Sequence, residues 1–355
     1  MKTNLILCLA VMLCNAGIVN AQYNDEVAGK NRIYITEKEE VSMKDADGEI
    51  MFNDAGEEMM EVREVKKLAQ SDTHGNADGN QYDLATDGAF EGKTIAVLNL
   101  CSVSLGSPKA SLAEKGFSMF EWKGGAPEPQ KLKKELEKSC QLWVISNGHS
   151  MLTEEHVDVI EEYFDSGKGL YIWGDNAPLF ADANAITERL FKTTMSGDTY
   201  ADQVVGISGE GEGRTGIVDG HLISTGVVNM YEGITIATVK PTQELNPLIY
   251  NSQNDLVAAV YEKNGKRCII DGGFTRLYHK WNSAGTNRYV KNAASWLVNY
   301  ERFGDDVSEG IEDVDVIMEI EPNIDTERMP DLQVEILELN RSVKNNQSFR
   351  IREEE

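Results

Sequence analysis

Between Lys93 and Phe303 the chain alternates short, continuously apolar runs with longer amphipathic stretches. "KTIAVLNL", "FSMFEW", "CQLWVISN" and "KGLYIWGDN" read as strands, and "SPKASLAEKG", "PEPQKLKKELEKS" and "TEEHVDVIEEYFDSG" between them as helices. In the last of these Thr153 sits at the N-cap, Glu154 and Glu155 load the first turn, and Gly167 stops the helix. Strands that are apolar without alternation are buried on both faces, so the pattern predicts a parallel sheet covered by helices on both sides. After a helix around 181–192 the chain turns more β-like, with "DQVVGIS", "HLISTGV" and "GITIATV". Asn264-Gly265, inside "LVAAVYEKNGKRCIIDGG", predicts a two-residue hairpin. A last helix, "TNRYVKNAASWLVNYERF", carries Tyr289, Ala293, Trp296 and Tyr300 on one stripe and closes the domain.

The flanks follow other rules. "RIYIT" reads as a short strand and "MKDADGEIMFNDAGEE" as a turn, a strand and a second turn. "IEDVDVIMEIE" (311–321) and "LQVEILEL" (332–339) alternate apolar and acidic residues as half-buried strands do, and both are expected to add to a sheet edge. The first 21 residues, one lysine followed by an apolar run and Val19-Asn20-Ala21, read as a secretory signal peptide cleaved before Gln22. The apolar run is too short to span a bilayer, so no membrane span is expected, and the localisation expected is secreted. The organisation predicted is signal peptide 1–21, acidic N-terminal segment 22–92, α/β domain 93–304 and acidic C-terminal segment 305–355.

The formal net charge of −25 is uneven: residues 22–92 hold 18 acidic and 7 basic side chains, residues 305–355 hold 16 and 5, and residues 93–304 hold 25 and 21. Such a chain repels polyanions, which argues against nucleic-acid binding and for cations or basic surfaces as partners: extracellular matrix, mineral or a basic protein. A solubilising role for the acidic flanks is the plainer alternative. Asp45, Asp47 and Glu49 gather around Gly48 and invite a calcium reading, but Gly48 falls at the fourth position from Asp45 where an EF-hand loop needs glycine at the sixth. A solvated loop is expected there, and no other cofactor is indicated. Cys101, Cys140 and Cys268, the cysteines beyond the signal segment, lie on apolar strands without metal spacing and read as free thiols, one bridge plus one thiol being the alternative. Asn340 and Asn346 open N-glycosylation sequons.

"YIWGDNAP" and the ending "NGKRCIIDGGFTRLYHKWNSAGTNRYVKNAASWL" give the region 93–304 a resemblance to the class I glutamine amidotransferase-like superfamily, which has a flavodoxin-like three-layer sandwich. The fold class expected is therefore α/β, a three-layer sandwich with a mostly parallel sheet and a terminal β-hairpin, plus acidic flanking segments with short strands. In active members of the superfamily a cysteine sits on the strand-to-helix elbow and a histidine follows downstream. Here the elbow is Gly174-Asp175-Asn176 and no His-x-Glu follows the last strands, so the resemblance implies a non-catalytic member.

Ligands of open parallel sheets bind beyond the carboxyl ends of the strands. That rule gathers Ser102 and Ser104, then Asn147, His149 and Ser150, then Asp175 and Asn176, then Asp271 with Phe274, as candidate ligand-binding residues. His149 and Asp175 are candidates for a base and its orienting carboxylate. The plainer reading makes Asp175 the cap of the following helix and His149 a loop residue. The function expected is a secreted, non-enzymatic binding or matrix-type protein. The alternatives are a hydrolase of a small polar substrate near Asp175, and a carbohydrate-binding module stacking sugars on Trp173, Trp281 and Tyr278.

Overall fold

The structure is a computed structural model that describes residues 23–281, 284–303 and 317–319. The signal segment, the sequons at Asn340 and Asn346 and the strand expected at 332–339 lie outside the described residues.

An antiparallel ribbon comes first, β1 (Tyr34–Ser42) with β2 (Met60–Leu68). The main domain then runs β3 (Lys93–Asn99), α1 (Gly106–Glu114), β4 (Phe117–Lys123), α2 (Pro129–Leu136), β5 (Gln141–Ile145), α3 (Glu154–Asp165), β6 (Gly169–Trp173) and α4 (Ala181–Phe191). Two small antiparallel pairs follow: β7 (Met195–Tyr200) with β11 (Thr235–Val239), and β8 (Val204–Val205) with β10 (Met230–Tyr231). β9 (Gly216–Ile217), β12 (Asn246–Tyr250), β13 (Leu256–Lys263), β14 (Lys266–Asp271), α5 (Thr286–Leu297), the single turn α6 (Tyr300–Phe303) and β15 (Ile317–Glu319) complete the chain. "HLISTGV", expected to be β-like, instead forms a 3-10 turn at Leu222–Ser224, with the His221 ring accepting the Ile223 N–H at 3.1 Å.

The main sheet has nine strands in the order β15-β4-β3-β5-β6-β14-β13-β12-β9. From β15 to β14 all neighbours are parallel, and β14, β13, β12 and β9 pair antiparallel. The five strands β4-β3-β5-β6-β14 have the flavodoxin-like order, which places the switch point between β3 and β5. Alternation within each strand divides the interior in two. Ile95, Val97, Trp143, Ile145, Tyr171 and Trp173 face α1 and α5, whereas Ala96, Leu98, Leu142, Val144, Leu170 and Ile172 face α2, α3 and α4. This is a three-layer α/β sandwich. The expected hairpin closes at Asn264 (φ 55°) and Gly265 (φ 66°), both in the left-handed region that a type I′ turn requires.

Residues ahead of β3 join this body. Leu84, Ala85 and Phe90 enter the core under α1 and α5. Asp83, 1% exposed, meets three cations: Lys115 Nζ at 2.9 Å, Lys291 Nζ at 2.7 Å and Arg288 Nε at 2.7 Å. Burial alone would lift the Asp83 pKa, but Lys291, Lys115 and Arg288 together hold it below the ordinary carboxylate value. Lys115 is itself fully buried, and Asp83 together with Asp87, 2.6 Å from its Nζ, supplies the counter-charge that makes its burial tolerable. Asp83→Ala is expected to destabilise the protein by about 3 kcal/mol or more in urea unfolding; a loss below about 1 kcal/mol would show that Asp87 and Glu114 suffice as partners.

Candidate functional site

The carboxyl ends of β3, β5, β6 and β14 define the candidate site. Asp175 follows β6 with no exposed surface. One of its oxygens, Oδ1, accepts the Asn176 N–H at 2.8 Å, and the other accepts the Thr275 N–H at 2.6 Å together with the Thr275 hydroxyl. Desolvation still prevails over these three donors and raises the Asp175 pKa to about 7. The elbow is braced on the neighbouring strand: Gly174 N–H donates to Asp271 O at 2.8 Å, and Phe274 N–H donates to Gly174 O at 2.9 Å. At Gly272 a Cβ would stand 2.2 Å from the backbone oxygen of Ala237, so only glycine lets β14 end this close to β11.

Asp271 is also fully buried. It accepts Arg276 Nη1 at 3.1 Å, the Tyr289 hydroxyl at 2.9 Å and the Gly273 N–H at 3.1 Å, with the Tyr171 hydroxyl at 3.4 Å. Arg276 carries its second arm to Glu232 O at 3.0 Å. Burial raises the Asp271 pKa in spite of Arg276.

The remaining candidates go to loop construction. Asn147 Nδ2 donates to Leu100 O at 3.1 Å, and its Oδ1 accepts the Gly148 N–H at 2.6 Å. Ser150 Oγ donates to Leu152 O at 3.2 Å. Ser102 sits in the left-handed region (φ 56°) beside Gly124, and Asn176 Nδ2 donates to Ala177 O at 3.1 Å. Phe274 is buried in the core, whereas Ser104 is exposed.

The His149–Asp175 pair expected of a base and its carboxylate does not form among the described residues. His149 is exposed, and the carboxylate it acts on is Asp182, whose pKa burial raises in spite of three backbone donors and His149. Asp175 does not cap α4 either. Ser146 Oγ does so, accepting the Asp182 N–H at 3.0 Å and the Ala183 N–H at 3.1 Å. Trp173 has no exposed surface and Trp281 is 8% exposed, so neither presents a face to a sugar, while Tyr278 is 45% exposed. Asp45 Oδ1 accepts the N–H groups of Asp47 and Glu49 at 2.9 and 3.0 Å, closing a turn, and both of those side chains are exposed. Among the described residues no three His, Cys, Asp or Glu side chains are grouped to hold a metal ion.

Sequence reasoning missed Asp182, Thr275, Arg276 and Tyr289. Asp182 accepts the N–H groups of Met151 and Leu152 at 2.7 and 2.9 Å, folding the β5–α3 loop onto the start of α4. Its position in a helix's first turn is the one signal the sequence offers, and that signal points to the helix dipole rather than to a loop. Cys101 lies at the same strand ends, half-buried and free. Burial, and secondarily the charge of Asp175, pushes its thiol up to about 11, so it is not a thiolate at neutral pH. Cys140 and Cys268 are buried and free.

No family model matches the chain and no curated protein matches it. Solved structures similar to it include a cytoplasmic protein from Salmonella typhimurium LT2, at 8% identity and TM-score 0.40 over 76% of this chain and 96% of that one. A protein described as ThuA-like from Parabacteroides merdae is similar at 11% identity and TM-score 0.38, over 59% of this chain and 90% of that one. PurLQS of Thermotoga maritima is similar at 9% identity and TM-score 0.36, over 59% of this chain and 99% of that one.

Because the folded-state pKa of Asp175 is raised from 3.8 to about 7, the folded protein keeps this proton longer than the unfolded chain does. The stability contributed is therefore complete below the unfolded value and is lost as pH rises through about 7. Asp175→Asn is expected to flatten the fall in unfolding free energy across that window by up to about 1.4 kcal/mol per pH unit, read by urea titration at a series of pH values. Parallel pH profiles for the two proteins would place the proton elsewhere.

Proposed function

We propose that this chain is a secreted, non-enzymatic binding protein. It is built on an amidotransferase-like domain that lacks the cysteine and histidine of the active enzymes, and its acidic segments engage a basic or cation-rich extracellular partner. The observation that carries the reading is the spending of both strand-end carboxylates on the chain's own donors, with neither exposed to a substrate. A general base needs a free lone pair within reach of the proton it takes, and a nucleophile needs an accessible face. Asp175 and Asp271 have no exposed surface, the Cys101 thiol is protonated at neutral pH, and His149 stands apart from Asp175. With the chemistry of the sheet ends removed, the net charge of −25 is the strongest recognition feature left on the chain.

Calorimetric titration with a short poly-lysine is the direct test. Saturable binding is expected, at least about tenfold tighter than that of an unrelated protein of the same net charge, and weakening steeply as salt rises above about 0.1 M. Binding equal to that of the charge-matched control, or hydrolysis of glutamine or another small amide that Asp175→Asn abolishes, would overturn the reading. Calcium titrated into the full chain separates mineral or cation binding from binding of a basic protein.

A further inference from the structure

Seven of the ten exposed large hydrophobic side chains among the described residues lie between Tyr34 and Leu68, on or beyond the β1–β2 ribbon. The ribbon is a two-stranded sheet of its own, and Ile33, Ile35, Ala69 and Ala77 at its base form a small separate cluster with Val27 and Tyr82. In its register Tyr34 lies opposite Leu68, Glu40 opposite Val62 and Ser42 opposite Met60. All of these side chains share one face, where Met60, Val62 and Leu68 are 50%, 61% and 59% exposed.

The backbone of β2 tells which groups are unused. Ala69 N–H donates to Ile33 O at 2.9 Å and Met43 N–H donates to Met59 O at 2.7 Å, one pair at each end of the same register. Bonded pairs alternate along an antiparallel ladder, so Glu61, Arg63, Val65 and Lys67 bond to β1. Met60, Val62, Glu64, Lys66 and Leu68 therefore turn their N–H and C=O groups outward, away from β1. No described strand pairs with that edge. An unpaired edge of this length is a template for another strand.

We infer that the outer edge of β2 pairs antiparallel with the β2 edge of a second copy of this chain, about a two-fold axis through Glu64. This register joins the two ribbons into a four-stranded sheet. It sets Met60 against Leu68 of the second copy and Glu61 against Lys67 of the second copy, each twice. Val62 meets the stem of Lys66 of the second copy, and Arg63 meets Val65 of the second copy. The one like-charge pair is Glu64 at the axis, and Lys66 of the second copy stands diagonal to it. The outward backbone groups of the five even-numbered residues fall in the bonded positions of the new ladder. The equivalent full-length self-pairing of β1 lacks this complementarity, for it sets Lys38 on Lys38 and Glu37 on Glu39 twice.

Sedimentation velocity on the full chain over a roughly hundredfold concentration range tests the inference. A concentration-dependent dimer is expected. Val62→Pro removes an outward donor that β1 does not use, and should yield monomer with the helical circular dichroism unchanged. Thr36→Pro makes the same change on the outer edge of β1 and should leave the dimer intact. Glu61→Lys sets like charges opposite Lys67 on both halves and should weaken the dimer about tenfold. A monomer throughout the range, a dimer indifferent to Val62→Pro, or equal loss in both proline variants would overturn the inference.

Discussion

The buried pair of Arg276 and Asp271 is the constraint on which the carboxyl end of the sheet depends. Neither charge has exposed surface, and neither is tolerable there without the other. The pair does more than neutralise. Asp271 ends β14, Tyr171 belongs to β6, Tyr289 belongs to α5, and Arg276 reaches across to the backbone of Glu232, so one cluster fixes four separate parts of the chain. Arg276 lies in the 3-10 turn Phe274–Leu277, whose position brings Thr275 onto Asp175. Asp175, Asp271 and Arg276 are thus turned inward, toward one another and the chain around them.

The layers were legible in the sequence because they depend on pattern alone. A strand such as "TIAVLN" is apolar at every interior position, so both of its faces must be covered, and Ile95 and Val97 do lie in a different core from Ala96 and Leu98. Asn264-Gly265 was legible for an equally local reason, since both residues of the turn need positive φ. The local mark on α3 also held, with Thr153 at its N-cap and Glu154 and Glu155 in its first turn.

The site was less legible, because its bonds join residues that no local rule connects. Thr275 and Asp175 are 100 residues apart, and what makes them partners is the parallel pairing of β14 with β6, which sets their loops side by side. Ser146 replaces Asp175 as the donor-satisfying group at α4 for the same reason: β5 and β6 are neighbours, and the end of one strand meets the helix that follows the other. Position in sequence placed the candidates correctly at the strand ends. It did not tell which of them would be consumed in holding those ends together.

The Asp83 cluster has a consequence for the order in which the chain can become itself. Asp83 and Arg288 are separated by 205 residues, and Lys291 lies one turn further along the same helix. During synthesis Asp83 emerges long before α5, so until that helix is made it lacks two of its three cationic partners. Closing so distant a pairing is entropically slow compared with the local α and β contacts that form on the way. The segment ahead of β3 thus leaves the ribosome well before the helix that locks it in place. Native burial of Lys115 beside Asp83 becomes a mark of a completed chain.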